Sequence, residues 1–308
     1  MTAGWVAGTV RARALVRRRL GTAGARALVS AGSFAAAVEM LVHSPYGRFV
    51  RAGDDPTAAA HGVAATLLWN VRVLAGWLPA RGSEMLRVLA GWFEIANTEE
   101  HLRALAGMPA DVPYHLGALT TAWPRIAAAG SPEQVRGVLT ASPWRDPGGS
   151  GPRDIQISLR LSWADRVAAR VSATRPWALG AAALLLAREV VGRGEPLSGA
   201  ARSSALRTLG PGCATSAASV SELRASLPRS AGWALDDVTD PEHLWQAEAR
   251  WWRRVRGDSA ALAARSTFGE EPVVGAVALL AHDAWLVTGA LAGAGRDPDA
   301  LEIFDAVT

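Results

Sequence analysis

The 308-residue sequence predicts an all-α fold, and three observations carry that expectation. Ala, Leu and Arg dominate while Ile, Tyr and Phe are scarce, and straight-chain residues lose little side-chain freedom in a helix. Apolar residues recur at helical spacing along nearly the whole chain. No alternation of apolar and polar residues runs long enough for a half-buried strand.

The elements follow in order. Residues 10–20 place Arg11, Arg13, Arg17, Arg18 and Arg19 against an apolar side of Val10, Leu15, Val16 and Leu20. Ser33 is an N-cap, followed by Phe34, Val38, Leu41 and Val42 at helical spacing, and Pro45-Tyr46-Gly47 ends that helix. Pro56 opens a long helix through Trp77, stopped by Pro79 and Gly82; Ser83 caps the next, which closes at Gly107 and Pro109. Residues 115–129 form a helix with a kink expected at Pro124. Ser131-Pro132-Glu133 combines an N-cap, a Pro at the first helical position and an acid against the helix dipole. Residues 146–152 are the clearest loop, and helices are expected over 155–173 and 176–192. Residues 194–218, rich in Gly, Ser and Pro, read as a linker. Helices follow at 221–227, from Asp240-Pro241-Glu242 to Gly257, and at 272–292, with a short helix or strand over 301–304.

Two markers repeat at nearly one period. Ser33 to Tyr46 and Ser131 to Trp144 each keep a Ser, a Leu eight residues on, then Ser-Pro-aromatic; a weaker copy starts at Ser219, with Leu227 and Ser230 in register. Acids embedded in apolar runs stand at Glu94, Glu189 and Asp283, separated by 95 and 94 residues. A fixed period speaks to architecture. It divides one helical domain, 1–308, into three similar units, 1–112, 113–215 and 216–308, with pseudo-threefold symmetry.

Composition narrows the function classes. Hydrophobic residues at 50% and charged residues at 19% mark a globular chain. All 32 basic residues are Arg. A GC-rich genome explains such a bias, and planar recognition of carboxylate or phosphate would use it. The net charge of +4 is modest for a nucleic-acid binder of this size. Cys213 stands alone, which excludes a disulfide framework and agrees with a reducing compartment. Met1 to Val10 leads into Arg with no apolar region and cleavage site, so no secretory signal is expected. The longest apolar candidate, 177–191, is broken by Arg188 and Glu189, so no membrane span is expected.

No catalytic, cofactor-binding or metal-binding residue stands out. Gly148-Gly149-Ser150-Gly151 lacks the Lys and the preceding strand of a phosphate loop. His43, His61, His101, His115, His243 and His282 form no helical metal pair. No Gly-x-Ser-x-Gly elbow is present. The three repeated acids are expected to cap neighbouring elements or pair with Arg, not to act as catalytic carboxylates. Partner binding is expected at Arg11, Arg13 and Arg17, and at Arg250, Arg253, Arg254 and Arg256, where Trp251 and Trp252 interleave with the charges. With 13 Trp against 5 Phe and 2 Tyr, Trp is expected to do much of the core filling.

Four places resemble the C/d family of socket proteins in the A/V-type (archaeal and vacuolar) rotary ATPases. They are the opening from Trp5 through Val10, Arg11 and Arg13; Ser33-Phe34 with Leu41 and Tyr46-Gly47; Glu94-Ile95 with Asn97, Leu102 and Arg103; and Ser131-Pro132 with Val138-Leu139 and Ser142-Pro143. Gly8-Thr9 departs from the family's Ala-Arg pair, and no Asn-Leu-Arg follows Glu189. The resemblance implies a helical funnel of three units and no enzyme activity. It implies a central-stalk socket, a peripheral cytoplasmic protein present once within a larger complex. Its partners would be the stalk subunits and the membrane rotor ring, with no small-molecule substrate. It would couple stalk rotation to proton or other ion transport. The alternative is an all-α scaffold that binds an anionic partner or nucleic acid through its Arg/Trp clusters.

Overall fold

The computed structural model describes residues 2–296 together with Leu301, Glu302, Phe304 and Asp305, and every regular element among them is helical. In chain order the helices are α1 (Ala3–Arg17), α2 (Gly21–Val29), α3 (Phe34–Val42), α4 (Pro56–Ala75), α5 (Ala80–Leu105), α6 (Trp123–Ala127) and α7 (Pro132–Thr140). They continue with α8 (Pro152–Arg170), α9 (Arg175–Leu186), α10 (Gly199–Leu209), α11 (Val220–Ser226), α12 (Arg229–Gly232), α13 (Leu244–Ala264) and α14 (Glu270–Gly293).

The punctuation read from the sequence sets many of these ends. Ser33, Ser131 and Ser219 each hold extended backbone and accept a hydrogen bond from the third residue on, at Ala36, Gln134 and Glu222. Each satisfies one of the helix's orphan amides. Asp55 does the same for Ala58 ahead of Pro56. Gly107, at φ +72, closes the turn after α5, a conformation other residues rarely adopt.

Several expectations are corrected. The first helix begins at Ala3 and ends at Arg17, earlier than expected at both ends. Ser83 is not an N-cap: α5 starts at Ala80, runs through Gly82, and the Ser83 hydroxyl donates to the Ala75 carbonyl at 2.8 Å. Residues 115–122 are not α-helical, holding only a 3-10 turn at Gly117–Leu119; Pro124 sits in the first turn of α6, where its missing N–H is no loss, and causes no kink. Residues 194–218 are not a plain linker, because α10 lies within them and buries Ala201, Ala205 and Leu209. Helix α13 runs through Gly257 to Ala264. The last turn of the α9 run is a π-helix, Ala187–Gly192. Leu301, Glu302, Phe304 and Asp305 are helical and Phe304 is buried, while Ile303 lies outside the described residues.

By length and hydropathy α4 and α14 are comparable to membrane spans, which a search for an unbroken apolar run passes over. In α14, 72% of that stretch is buried inside the protein, the pattern of a core helix.

The described chain divides into two compact units, residues 1–83 with 252–308, and residues 84–251, cut differently from the three sequence units. The first is built round α14, which packs against α1, α2, α3 and α4. Leu28, Val38, Leu41 and Val63 meet Leu286, Val287 and Leu291 in its core. Gly275 lets α14 approach α13 closely, since a Cβ there would stand 2.6 Å from the Ser259 carbonyl oxygen and the Ala263 nitrogen.

The second unit packs α8 against α9 and α10, and α9 against α12. Leu161, Val167, Leu179, Leu186 and Leu235 lie in its main core, and Ile126, Leu139, Trp144 and Ile155 in a second cluster. Two tryptophan contacts there follow one pattern. The Trp163 indole donates to the Val88 carbonyl at 2.9 Å, and a Cβ on Gly91 would lie 2.9 Å from its Cδ1. The Trp251 indole donates to the Trp177 carbonyl at 2.9 Å, and a Cβ on Gly180 would lie 3.1 Å from its Cδ1. In both, a Gly three residues beyond the accepting carbonyl gives the ring its place.

Candidate functional site

Glu94 is buried on α5, and its carboxylate is spent on local structure. Oε1 accepts from the Ala122 amide and the Trp144 indole, both at 2.7 Å. Oε2 accepts from the Thr121 amide at 2.6 Å and the Thr120 hydroxyl at 3.2 Å. The Arg166 guanidinium lies over the Trp144 ring, 4.7 Å from its centroid. Burial pulls Arg166 below its ordinary pKa, and the Glu94 charge works the other way. Such charge-assisted bonds in a dry setting are about twice as strong as neutral ones. The same helix also holds the preceding segment. Asn97, buried, accepts from the Tyr114 amide at 2.6 Å and donates to its carbonyl at 2.9 Å. Glu100 accepts from the Asp111 amide, and Arg103 donates to the Pro109 carbonyl. Residues 94, 97, 100 and 103, each three on from the last, therefore form a stripe that winds round α5 and pins residues 109–122.

Asp283 on α14 repeats the arrangement in the other unit. Its Oδ1 accepts from the Gly21 amide at 2.6 Å; its Oδ2 accepts from the Leu20 amide at 3.1 Å and the Tyr46 hydroxyl at 2.8 Å. Burial first, then the Asp283 charge, push the Tyr46 phenol up, so it stays a donor. The approach of the two aromatics is also the same. Ser44 donates to the Leu41 carbonyl at 2.7 Å and accepts from the Tyr46 amide at 3.1 Å. Ser142 donates to the Leu139 carbonyl at 2.7 Å and accepts from the Trp144 amide at 3.1 Å. The Ser-Pro-aromatic signal is thus a turn that delivers a ring donor to a buried acid.

The third acid differs. Glu189 sits in the π-helical turn, buried, and pairs with Arg153 at 3.1 Å and Arg193 at 3.0 Å. Helix α11 spans 7 residues where α3 and α7 each span 9. Ser226, rather than Ser230, donates back to the helix, to the Leu223 carbonyl at 2.6 Å. The third copy keeps its Ser219 cap and loses the aromatic clasp.

The predicted partner-binding arginines separate into two groups. Arg13, Arg250 and Arg254 serve the protein itself. Arg13 donates to the Arg265 and Thr267 carbonyls and lies over the Phe268 ring. Arg250 donates to the Asp236 carbonyl, and Arg254 faces Asp258 at 3.6 Å. Arg11, Arg17, Arg253 and Arg256 are exposed. Trp251 packs against the core, and Trp252 stacks on Trp285 at 5.3 Å, so both rings face inward.

His282, next to Asp283, is buried between the Trp252 and Trp285 rings, and its Nε2 has no hydrogen-bond partner. Burial, then the charges of Arg256 and Arg19, hold it down to about 4. The three acids hold neighbouring backbone or pair with Arg, as their repetition leads one to expect. That Tyr46 and Trp144 join two of them, and that His282 is buried beside one, was not read from the sequence, although the shared period of the acids and the Ser-Pro-aromatic turns was the signal.

Among the described residues no three His, Cys, Asp or Glu side chains gather as metal ligands. Cys213 is buried, which pushes its thiol up to about 11. A shallow depression of about 500 Å³ lies beside Glu133, Arg136 and Asp146. There Arg136 forks onto Asp146 at 2.8 and 3.1 Å, which with the Gly148 amide lowers that carboxyl to about 2. No protein-family model matches the sequence, and no curated protein matches it significantly.

Proposed function

We propose that this chain is a non-catalytic socket of a V-type rotary ATPase, seated at the cytoplasmic face of the membrane between the central stalk and the rotor ring. The observation that carries the reading is the repeated clasp. Glu94 and Asp283 each bind two successive backbone amides and the ring donor of a Ser-Pro-aromatic turn. Repeated helical units with buried, fully used carboxylates suit a body that must transmit torque without yielding. The funnel with pseudo-threefold symmetry belongs to the same proposal, as does the absence of enzyme activity. The alternative, an all-α scaffold for an anionic partner, draws on the exposed arginines of α1 and α13.

The test is affinity purification of the tagged chain from its native host with the membrane fraction retained in mild detergent. Stalk and rotor-ring subunits are expected in stoichiometric yield. Recovery of the chain without any ATPase subunit would overturn the proposal.

A further inference from the structure

The outer face of α1 combines two features that the fold does not use. Ala3, Val6, Val10 and Ala14 are exposed along one ridge, at spacings of three and four residues. The ridge runs into Arg17, with Arg11 and Arg18 beside it, also exposed. None of these three side chains has a hydrogen-bond or ion-pair partner among the described residues, whereas the half-buried Arg13 is engaged. The sequence has no Asp or Glu before Glu39, so no acid of α1 or α2 neutralises the face. Its end is fixed in place, because Asp283 grips the Leu20 and Gly21 amides directly after Arg19.

We propose that this face docks an acidic amphipathic helix of a partner protein, its apolar edge on Val6 and Val10 and its carboxylates on Arg11, Arg17 and Arg18. The inference stands whether or not the chain serves a rotary motor. Charge complementarity selects an acidic partner, and the forked guanidinium suits carboxylates, as Arg26 already shows by pairing both nitrogens with Asp305 at 2.8 and 3.0 Å. A ridge of small apolar residues at helical spacing accepts another helix closely. A lipid surface is less well matched, because the exposed large apolar residues of α1 are valines, not the Trp, Phe or Leu that enter a bilayer. Nucleic acid would use stacking rings, and the rings beside Arg253, Trp251 and Trp252, are committed inward.

The test uses the full chain and a fluorescein-labelled amphipathic peptide of Glu, Ala and Leu, followed by fluorescence anisotropy across a salt series. Saturable binding is expected. It should weaken roughly tenfold in the Arg17→Glu/Arg18→Glu variant and roughly tenfold in Val10→Asp, the size of a lost charge pair or a lost buried apolar contact. Arg202→Glu, an exposed arginine on α10, should bind as the wild type does. Circular dichroism melts confirm that each variant is folded; the substituted side chains are exposed, so the melts should coincide. Absence of saturable binding would overturn the proposal, as would equal weakening by Arg202→Glu. Tighter binding of duplex DNA or of phosphatidylglycerol vesicles than of the peptide would also overturn it.

Discussion

His282 shows how a single side chain converts packing into a pH response. Its ring is enclosed by Trp252 and Trp285 and its Nε2 lacks a partner, so protonation would place an unsolvated charge in the core. Burial, with Arg256 and Arg19 adding repulsion, lowers its pKa to about 4 in the folded state. The unfolded chain therefore takes up a proton near pH 6.5 that the folded chain refuses, and stability falls as the pH drops from about 6.5 towards 4. Between pH 7 and 5 the loss is on the order of 1.5 kcal/mol. Urea denaturation at the two pH values checks this, with His282→Leu expected to flatten that slope. An unchanged slope in the variant would show that His282 titrates normally.

At the scale of elements, the two tryptophan locks oppose helix propensity. Ala is a better helix former than Gly by about 1 kcal/mol, so an open Gly→Ala change stabilises. Gly137 on α7 and Gly257 on α13 face open space, and each is expected to gain roughly 0.5–1 kcal/mol as Ala. Gly91 and Gly180 face indoles. The added methyl would lie 3.1 Å from Trp144 Cη2 as well as against Trp163 at the first, and 2.8 Å from Trp233 Cζ2 at the second. Overpacking there costs about 1–3 kcal/mol and outweighs the propensity gain. Melting temperatures should therefore rise for Gly137→Ala and fall for Gly91→Ala and Gly180→Ala; a rise in all three would remove the locks from the account. The same contrast explains what was legible in the sequence. Ser33 and Ser131 read correctly as caps because a cap depends on its own next three residues. Ser83 misled because the fold uses its hydroxyl on Ala75 and continues α5 behind it. Residues 115–122 misled because Glu94 on α5 satisfies the Thr121 and Ala122 amides, and Asn97 holds Tyr114 just ahead of them, a solution that local propensity cannot reveal. Residues 194–218 misled because small residues that read as a linker also suit the closely packed face of α10.

For the whole molecule, the clasps connect the repeated pattern to the way the protein holds together. The period of the three acids and the Ser-Pro-aromatic turns was visible in the sequence, but which acid served which turn was not: Glu94 takes the second turn and Asp283 returns to the first, 237 residues away at Tyr46. Each clasp closes wholly inside one compact unit, Asp283 in residues 1–83 with 252–308 and Glu94 in residues 84–251. Glu94→Gln keeps the shape but turns an amide NH2 towards groups that are themselves donors, and Asp283→Asn does the same. Leaving buried donors unpaired costs about 1–3 kcal/mol, more where a charge was involved, so each variant should lose roughly 2–4 kcal/mol. Hydrogen–deuterium exchange resolves where that loss is felt. Asp283→Asn should speed exchange at Leu20, Gly21 and through α2, α3 and α14, leaving α8 and α9 at wild-type rates. Glu94→Gln should speed exchange at Thr121 and Ala122 and through α6 and α7, leaving α2 and α3 unchanged. The physical reason is that a cooperative block opens when its own tie is cut. Uniform acceleration across both units from either substitution would mean that the clasps stabilise one global unfolding unit instead of two.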